Sequence, residues 1–275
     1  MPEGPEIKQA ADKIARALVG ETCLEVFFAF EHLKGFESQL CDQEIMSVDA
    51  KGKALLITFA NQLSIYSHNQ LYGKWMICQP GKLAKTGRQL RLAIHNRKKS
   101  ALLYSASDIE VLEPDQILIH PFLSKLGPDV LDQEVDLQII KDRITDSRFQ
   151  RRSIGILLLD QHWLSGLGNY LRSEILFVSQ LTPQLKLKDL TPEQVHHFAA
   201  AILKLTRQSY KTKGITNDLK TVERLKGEGI KRRFLRHYVF ARTGRPCYLC
   251  EHPIQKTYIG GRRLYYCESC QGEIS

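Results

Sequence analysis

The chain has no apolar run approaching the roughly 20 residues that a membrane-spanning helix needs. Its first twenty residues, MPEGPEIKQAADKIARALVG, carry early acids where a secretory signal would carry a long apolar stretch. Neither a membrane partner nor export is therefore expected. No internal repeat or low-complexity tract interrupts the sequence. Acidic residues are in deficit, with 30 Asp+Glu against 39 Lys+Arg, a net charge of +9. A balance of that sign favours a polyanionic partner, because each neutralised phosphate releases counterions. Cysteine is scarce outside one region. Of seven Cys, three (Cys23, Cys41 and Cys78) are scattered through apolar or strand-like surroundings and read as ordinary buried thiols. The other four lie together near the C-terminus. An odd count so distributed speaks against a disulfide framework and for a reducing, cytoplasmic setting.

What is present suits a folded protein. A length of 275 residues fits one large or two modest domains, and 43% hydrophobic with 25% charged residues is ordinary for a globular chain. Residues 6–19 place Ile7, Ala10, Ala11, Ile14, Ala15 and Leu18 at helical spacing. Strand-like runs follow at 23–30, 44–49, 53–59, 63–67, 75–78, 90–95 and 100–105, with tight turns at Asn61-Gln62 and Asn96–Lys99. HPFLSKLGPDVLD (120–132) breaks this pattern with two prolines and a glycine, which sets a domain boundary there. Helices are expected at 135–144, 154–161 and 169–178. A longer one opens at Thr191, with Thr as N-cap, Pro192 at the first helical position and Gln194 at the third. The segment 213–236 is Gly-punctuated and strongly basic, and reads as a loop, either merely solvated or facing a polyanion. Three regions result: a β-rich domain at 1–126, a helical domain with the basic loop at 127–236, and a cysteine module at 237–275.

Cys247-x2-Cys250 and Cys267-x2-Cys270 are 16 residues apart, the spacing of a four-cysteine structural zinc site. Four thiolates leave no open coordination position, so one structural Zn2+ per chain is expected. The intervening segment reads as a β-hairpin turning at Gly260-Gly261, with Arg262 and Arg263 beside the turn. A metal-stapled hairpin can hold a guanidinium against a phosphate, although exposed arginines alone are common. Upstream, Ser165-Gly166-Leu167-Gly168-Asn169 forms the turn of a helical pair. Asn169 is expected to cap the second helix and leave backbone N–H groups aimed outward, a phosphate-binding arrangement. Glu174 on the same helix is either a buried, paired carboxylate or a plain surface acid.

Met1 precedes Pro2, a small residue after which the initiator methionine is normally removed. A terminal proline amine would have a pKa of about 7.7–8.0, so a useful fraction is unprotonated at neutral pH. It can attack a sugar carbon and form a Schiff base. Glu3 and Glu6 supply acid and base candidates beside it.

Taken together, PEGPE at the start, Lys51-Gly52-Lys53 at a strand start, GLGNYLRSE (166–174) and GGRRLYYCESCQ (260–271) resemble the formamidopyrimidine-DNA glycosylase and endonuclease VIII family over nearly the whole chain. YSHNQLYGKW (66–75), LLYSASDIE (102–110) and HPFLSKLGPDVLD look like the endonuclease VIII branch. The resemblance implies an α+β multidomain fold. It comprises an N-terminal β-sandwich with an N-terminal helix, a helical domain with a helix–two-turns–helix motif, and a C-terminal zinc-finger β-hairpin. It implies Pro2 as nucleophile, Glu3 as general acid and Glu6 as a support. Lys53, Asn169 and Arg262 would grip the phosphates flanking the lesion. Gln70, Leu71 and Tyr72 would fill the gap left by a flipped nucleotide. The expected protein is a monomeric, cytoplasmic and nucleoid-associated bacterial repair enzyme acting on damaged double-stranded DNA. It would excise oxidised pyrimidines and cut the strand by β,δ-elimination. Two alternatives stay open. The same chemistry could prefer oxidised purines, since the basic stretch at 213–236 is longer than expected for the branch. A non-enzymatic zinc-finger DNA-binding protein would explain the charge and the cysteines but not a terminal PEGPE.

Overall fold

The computed structural model describes residues 2–273 and divides into two compact units, 1–125 and 126–275. The first unit opens with helix α1 (Gly4–Leu18), which Pro5 enters at a position where a helix needs no N–H donor. Its buried face is Ile7, Ala11, Ile14, Ala17 and Leu18. Strands β1 (Glu25–Phe28) and β2 (Ile45–Lys51) follow, separated by a short helix α2 (Glu37–Leu40). Then come β3 (Ala54–Phe59), β4 (Ser64–His68), β5 (Lys74–Cys78), β6 (Leu90–His95), β7 (Ser100–Tyr104), β8 (Asp108–Leu112) and helix α3 (Pro114–Ile119).

The strands form two antiparallel four-stranded sheets, ordered β1-β6-β7-β5 and β2-β3-β4-β8. One core lies between them. Val26, Phe28, Leu92, Ile94 and Leu103 from the first sheet meet Val48, Leu55, Ile57, Ile65 and Ile109 from the second, and Ile14 and Leu18 of α1 join them. Each such side chain contributes about 1.5–3 kcal/mol on burial. This is the expected sandwich with its helix. Strand β8 and helix α3 were not expected. Helix α3 leaves Leu118 and Ile119 exposed by 74% and 77%, so it shows no buried periodic face in sequence.

The second unit contains α4 (Leu137–Thr145), α5 (Ile154–Leu157), α6 (Asn169–Val178), α7 (Pro192–Lys211), α8 (Leu219–Gly227), α9 (Arg232–Leu235), β9 (Gln255–Ile259), β10 (Arg262–Tyr266) and α10 (Glu268–Gln271). Thr191 caps α7 as expected: its hydroxyl accepts from the Gln194 backbone N–H, and the Gln194 side-chain Oε1 accepts from the Thr191 N–H. Trp163, Leu167, Leu171, Ile175, Phe198 and Ile202 build the core.

The basic stretch at 213–236 is not a loop. It folds into α8 and α9 over a small apolar cluster of Ile215, Val222, Leu225 and Leu235. Four well-spaced apolar residues suffice to fold it, although charge dominates its composition. Strands β9 and β10 form a hairpin in which Ile259 pairs with Arg262. Gly260 and Gly261 turn it at φ +59° and +72°, a conformation that favours glycine. No helix among the described residues is long and apolar enough to cross a membrane.

Candidate functional site

In the first unit, Pro2 is partly exposed and Glu3 is buried at 2% exposure. Glu3 is the N-cap of α1, in extended conformation. Its backbone N–H donates to Glu6 Oε2 at 3.0 Å, so the first helical turn holds the chain at the residue that follows Pro2. Lys53 occupies the two-residue turn between β2 and β3, where Lys51 pairs with Ala54 and Gly52 supplies φ +60°. It is buried at 5% exposure. Its charge reaches His68, whose pKa is lowered by burial and further by Lys53, against the opposing pull of Asp108.

Gln70, Leu71 and Tyr72 lie in the loop between β4 and β5. The loop is closed at its base by the Gly73 N–H donating to Asn69 O at 2.7 Å. A side chain at Gly73 would meet that carbonyl at 2.6 Å, so the closure requires glycine. Leu71 and Tyr72 are exposed by 62% and 70%. They do not anchor the turn on the sandwich.

The second unit gathers Asn169, Glu174, Arg262 and the four cysteines. Helix α6 begins at Asn169, with Gly168 as its cap, so Asn169 is the first helical residue and not the cap. Its side-chain oxygen accepts from Arg172 Nη2 at 2.9 Å. An amide engaged through oxygen turns its nitrogen donors away from the guanidinium. Arg262 opens β10 with an exposed side chain.

Glu174 is fully buried and is the paired carboxylate of the two readings. Oε2 accepts from the Thr216 hydroxyl at 2.5 Å and the Tyr238 N–H at 2.8 Å. Oε1 accepts from the N–H groups of Val239 and Phe240, each at 2.9 Å. Burial raises its pKa, opposed by the Thr216 hydroxyl and those three backbone donors. Glu174 therefore clasps segment 238–240, which leads into the cysteine hairpin, onto α6.

The Sγ atoms of Cys247, Cys250, Cys267 and Cys270 all lie within 4.8 Å of one another. The separations given by Cys247–Cys270 (3.9 Å) and by Cys250 to Cys267 and Cys270 (3.4 Å each) exclude disulfides. They bracket the edge of about 3.8 Å expected of a tetrahedron with metal–sulfur bonds of about 2.3 Å. The cluster could hold one metal ion. The Leu249 N–H points at Cys247 Sγ at 3.4 Å and steadies the first knuckle.

Arg172 is the residue that sequence reasoning missed. It is fully buried. Nη1 donates to the carbonyls of Gly155 and Ile259, and Nη2 donates to Asn169 Oδ1 and the carbonyls of Arg262 and Arg263. One guanidinium thus ties α5, the start of α6 and the hairpin turn together. The available signal was weak: Arg172 lies between Leu171 and the apolar run Ile175–Val178 of a helix that also carries Ser173 and Glu174, and only its burial shows that the charge must be bonded.

The formamidopyrimidine-DNA glycosylase N-terminal domain model matches residues 1–106, and the formamidopyrimidine-DNA glycosylase H2TH domain model matches 126–221. The chain is 46% identical over 271 residues to endonuclease 8 of Shigella sonnei, covering 98% of this chain and all of that protein. Endonuclease 8 of Escherichia coli strain K12 matches to the same extent. The fold is similar to that of Lactococcus lactis Fpg in a complex with DNA containing an abasic site. That match has a TM-score of 0.79 at 19% identity, covering 98% of this chain and all of that one. The chain belongs to the formamidopyrimidine-DNA glycosylase/endonuclease VIII family and is most like endonuclease VIII.

Proposed function

We propose that the protein is a base-excision-repair DNA glycosylase and AP lyase that removes oxidised pyrimidines from double-stranded DNA through an iminium (Schiff-base) intermediate on Pro2. The observation that carries the reading is the N-terminal corner, where buried Glu3 sits beside Pro2 and Glu6 fixes the Glu3 backbone. The damaged nucleotide leaves the stack, and Leu71, presented on a closed loop, fills the gap. The unprotonated Pro2 nitrogen attacks C1′. The C1′–base bond breaks, its electron pair leaves with the base, and Glu3 supplies the proton to the departing system. The Pro2 nitrogen, a secondary amine, sheds its proton, and the C1′–O4′ bond breaks with O4′ taking up a proton, which leaves an iminium between Pro2 and C1′. Successive β- and δ-eliminations then expel the two phosphates, leaving a one-nucleotide gap with a phosphate at each end. Hydrolysis of the iminium restores the amine.

Lys53, Asn169 and Arg262 hold phosphates flanking the lesion, and Glu174 keeps the helical module in shape. The four cysteines hold one Zn2+, which fits the sulfur spacing and all-thiolate donor set and stabilises the hairpin without entering the reaction. Likeness to endonuclease 8 supports pyrimidine over purine lesions, and we place the enzyme in the bacterial cytoplasm. Incubation of the protein with abasic duplex and borohydride tests the chemistry. A cross-link mapping to residue 2 is expected. A cross-link mapping to Lys53 would overturn the assignment.

A further inference from the structure

Three sequence segments meet behind the loop that carries Leu71. YSHNQLYGKW supplies the loop, LLYSASDIE supplies Ser107 and the start of β8, and HPFLSKLGPDVLD supplies His120 and Phe122. They surround a cavity of about 280 Å3 whose walls include Tyr66, His68, Asp108, His120 and Phe122. His68 ends β4 and pairs in register with Asp108 at the start of β8. From these two positions the loop is held. His68 Nδ1 accepts from the Gln70 N–H at 3.3 Å, and Asp108 Oδ2 lies 3.9 Å from the same nitrogen. The Ser107 hydroxyl donates to Gln70 Oε1 at 2.9 Å, and the Gln70 side chain lies close enough to Asp108 to favour its charged form. On the far side, Arg88 Nη1 donates to Tyr72 O at 2.6 Å.

Gln70 itself is at φ +47°, a left-handed conformation that non-glycine residues adopt at a cost. Its neighbours must supply the stabilisation, and the bonds just described are the ones on offer. Behind them, His120 Nδ1 accepts the N–H groups of Phe122 and Leu123, and its Nε2 faces Glu110 at 3.4 Å. That arrangement pins β8 to the chain that follows it. The Phe122 ring lies edge-on to His68, with centroids 5.5 Å apart.

We infer that Ser107 and Asp108 are positioning residues for base eversion: through Gln70 they hold the loop in the conformation that presents Leu71 to the DNA stack. Neither residue contacts the reacting atoms. The inference rests on the reading of Leu71 as the inserted side chain. It also gives a function to LLYSASDIE, which the chemistry at Pro2 does not use.

The test is a double-mutant cycle on excision of an oxidised pyrimidine from duplex DNA. Ser107→Ala is the primary variant because the side chain is exposed and packs in none of the apolar cores. Asp108→Asn is the second. Each should slow single-turnover excision from duplex by about threefold to tenfold, the range for one or two lost hydrogen bonds. Cleavage of single-stranded abasic DNA should be unchanged, and Ser107→Thr, which keeps the hydroxyl, should restore the rate. A 2-aminopurine placed next to the lesion should report slower unstacking in the same variants. In a Leu71→Ala background, Ser107→Ala should cost nothing further.

If Leu71→Ala alone leaves duplex excision at the wild-type rate, the inserted-side-chain reading fails and takes this inference with it. If Leu71→Ala slows excision but Ser107→Ala and Asp108→Asn do not, the reading of Leu71 stands and the positioning role is overturned. Losses that multiply with that of Leu71→Ala would overturn it as well.

Discussion

Arg172 Nη2 donates to the side-chain oxygen of Asn169 at 2.9 Å while the same guanidinium binds three carbonyls of the hairpin turn. Two phosphate-gripping candidates, Asn169 at the start of α6 and Arg262 at the start of β10, are therefore oriented by one buried cation. Arg172→Lys keeps the charge but offers a single nitrogen in place of a planar fork. It should weaken binding to abasic-analogue duplex by about tenfold or more, since hydrogen bonds to charged groups contribute about 1.5–3 kcal/mol each. Asn169→Ala should add little on top of it. Arg262→Ala should lower the slope of log K against log salt by about one, the counterion term of a single phosphate. Full additivity of Arg172→Lys and Asn169→Ala in a binding titration would show that the guanidinium does not orient Asn169.

Glu3→Gln separates the two reactions. The variant keeps the Pro2 amine and loses the proton donor, so base excision should fall by about 100-fold or more, the scale of general acid catalysis. Strand cleavage at a pre-formed abasic site, where no base departs, should fall far less. Gel assays on lesion and abasic duplexes measure both. Equal losses would make Glu3 a helix cap alone, which its position at the start of α1 would also explain.

How much of this was readable in the sequence depended on how local the cause was. Thr191-Pro192-Glu193-Gln194 specified its helix start because a capping box is completed within four residues. Helix α6 and strand β6 came out at their observed bounds because local turn residues, Gly166 to Gly168 before the helix and Asn96 to Lys99 after the strand, mark where they begin or end. The four cysteines were legible from spacing. Strand β8 was not, because its pairing with β4 is supplied by a distant segment and a left-handed Ser105 precedes it at φ +55°. Helices α8 and α9 were hidden by their charge. Arg172 could be read as another basic residue until its five acceptors, contributed by three separate segments, were seen together. Pro2 and Glu3 carried weight through resemblance, since an isolated PEGPE is also an ordinary helix entry.

Metal removal should affect one part of the chain. One Zn2+ per protein is expected by elemental analysis, and Cys247→Ser or a strong chelator should release it. Metal–thiolate bonding supplies folding free energy to a hairpin with little core of its own. Segment 247–270 should then become protease-sensitive while the sandwich at 1–125 stays resistant. The Gln271 side chain, which bonds Cys267 N–H and Leu181 O, should lose its protection at the same time. Metal content near zero in purified, active protein would refute the site.

The second unit should lose stability in mild acid because of His237. This residue is buried at 2% exposure, and its Nδ1 lies 2.8 Å from the Thr216 hydroxyl. The Thr216 hydroxyl donates to Glu174, so its oxygen is free to accept and Nδ1 carries the proton. Nε2 is buried without a hydrogen-bond partner, so protonation there would place an unpaired charge in the interior. Burial holds His237 well below the ordinary imidazole value of 6.5, and the guanidiniums of Arg236, Arg232 and Arg242 push it the same way. The unfolded chain therefore binds a proton near pH 6.5 that the folded chain refuses. Stability is fully present above that pH and falls as the pH drops below it. The slope approaches about 1.4 kcal/mol per pH unit for one proton. Glu174, whose raised pKa acts in the opposite sense, is common to wild type and His237→Gln, so their difference isolates the imidazole. Urea midpoints of the second unit from pH 7.5 to 5 should fall more steeply for wild type than for His237→Gln. Parallel curves would show that His237 takes up its proton as readily in the folded chain as in the unfolded one.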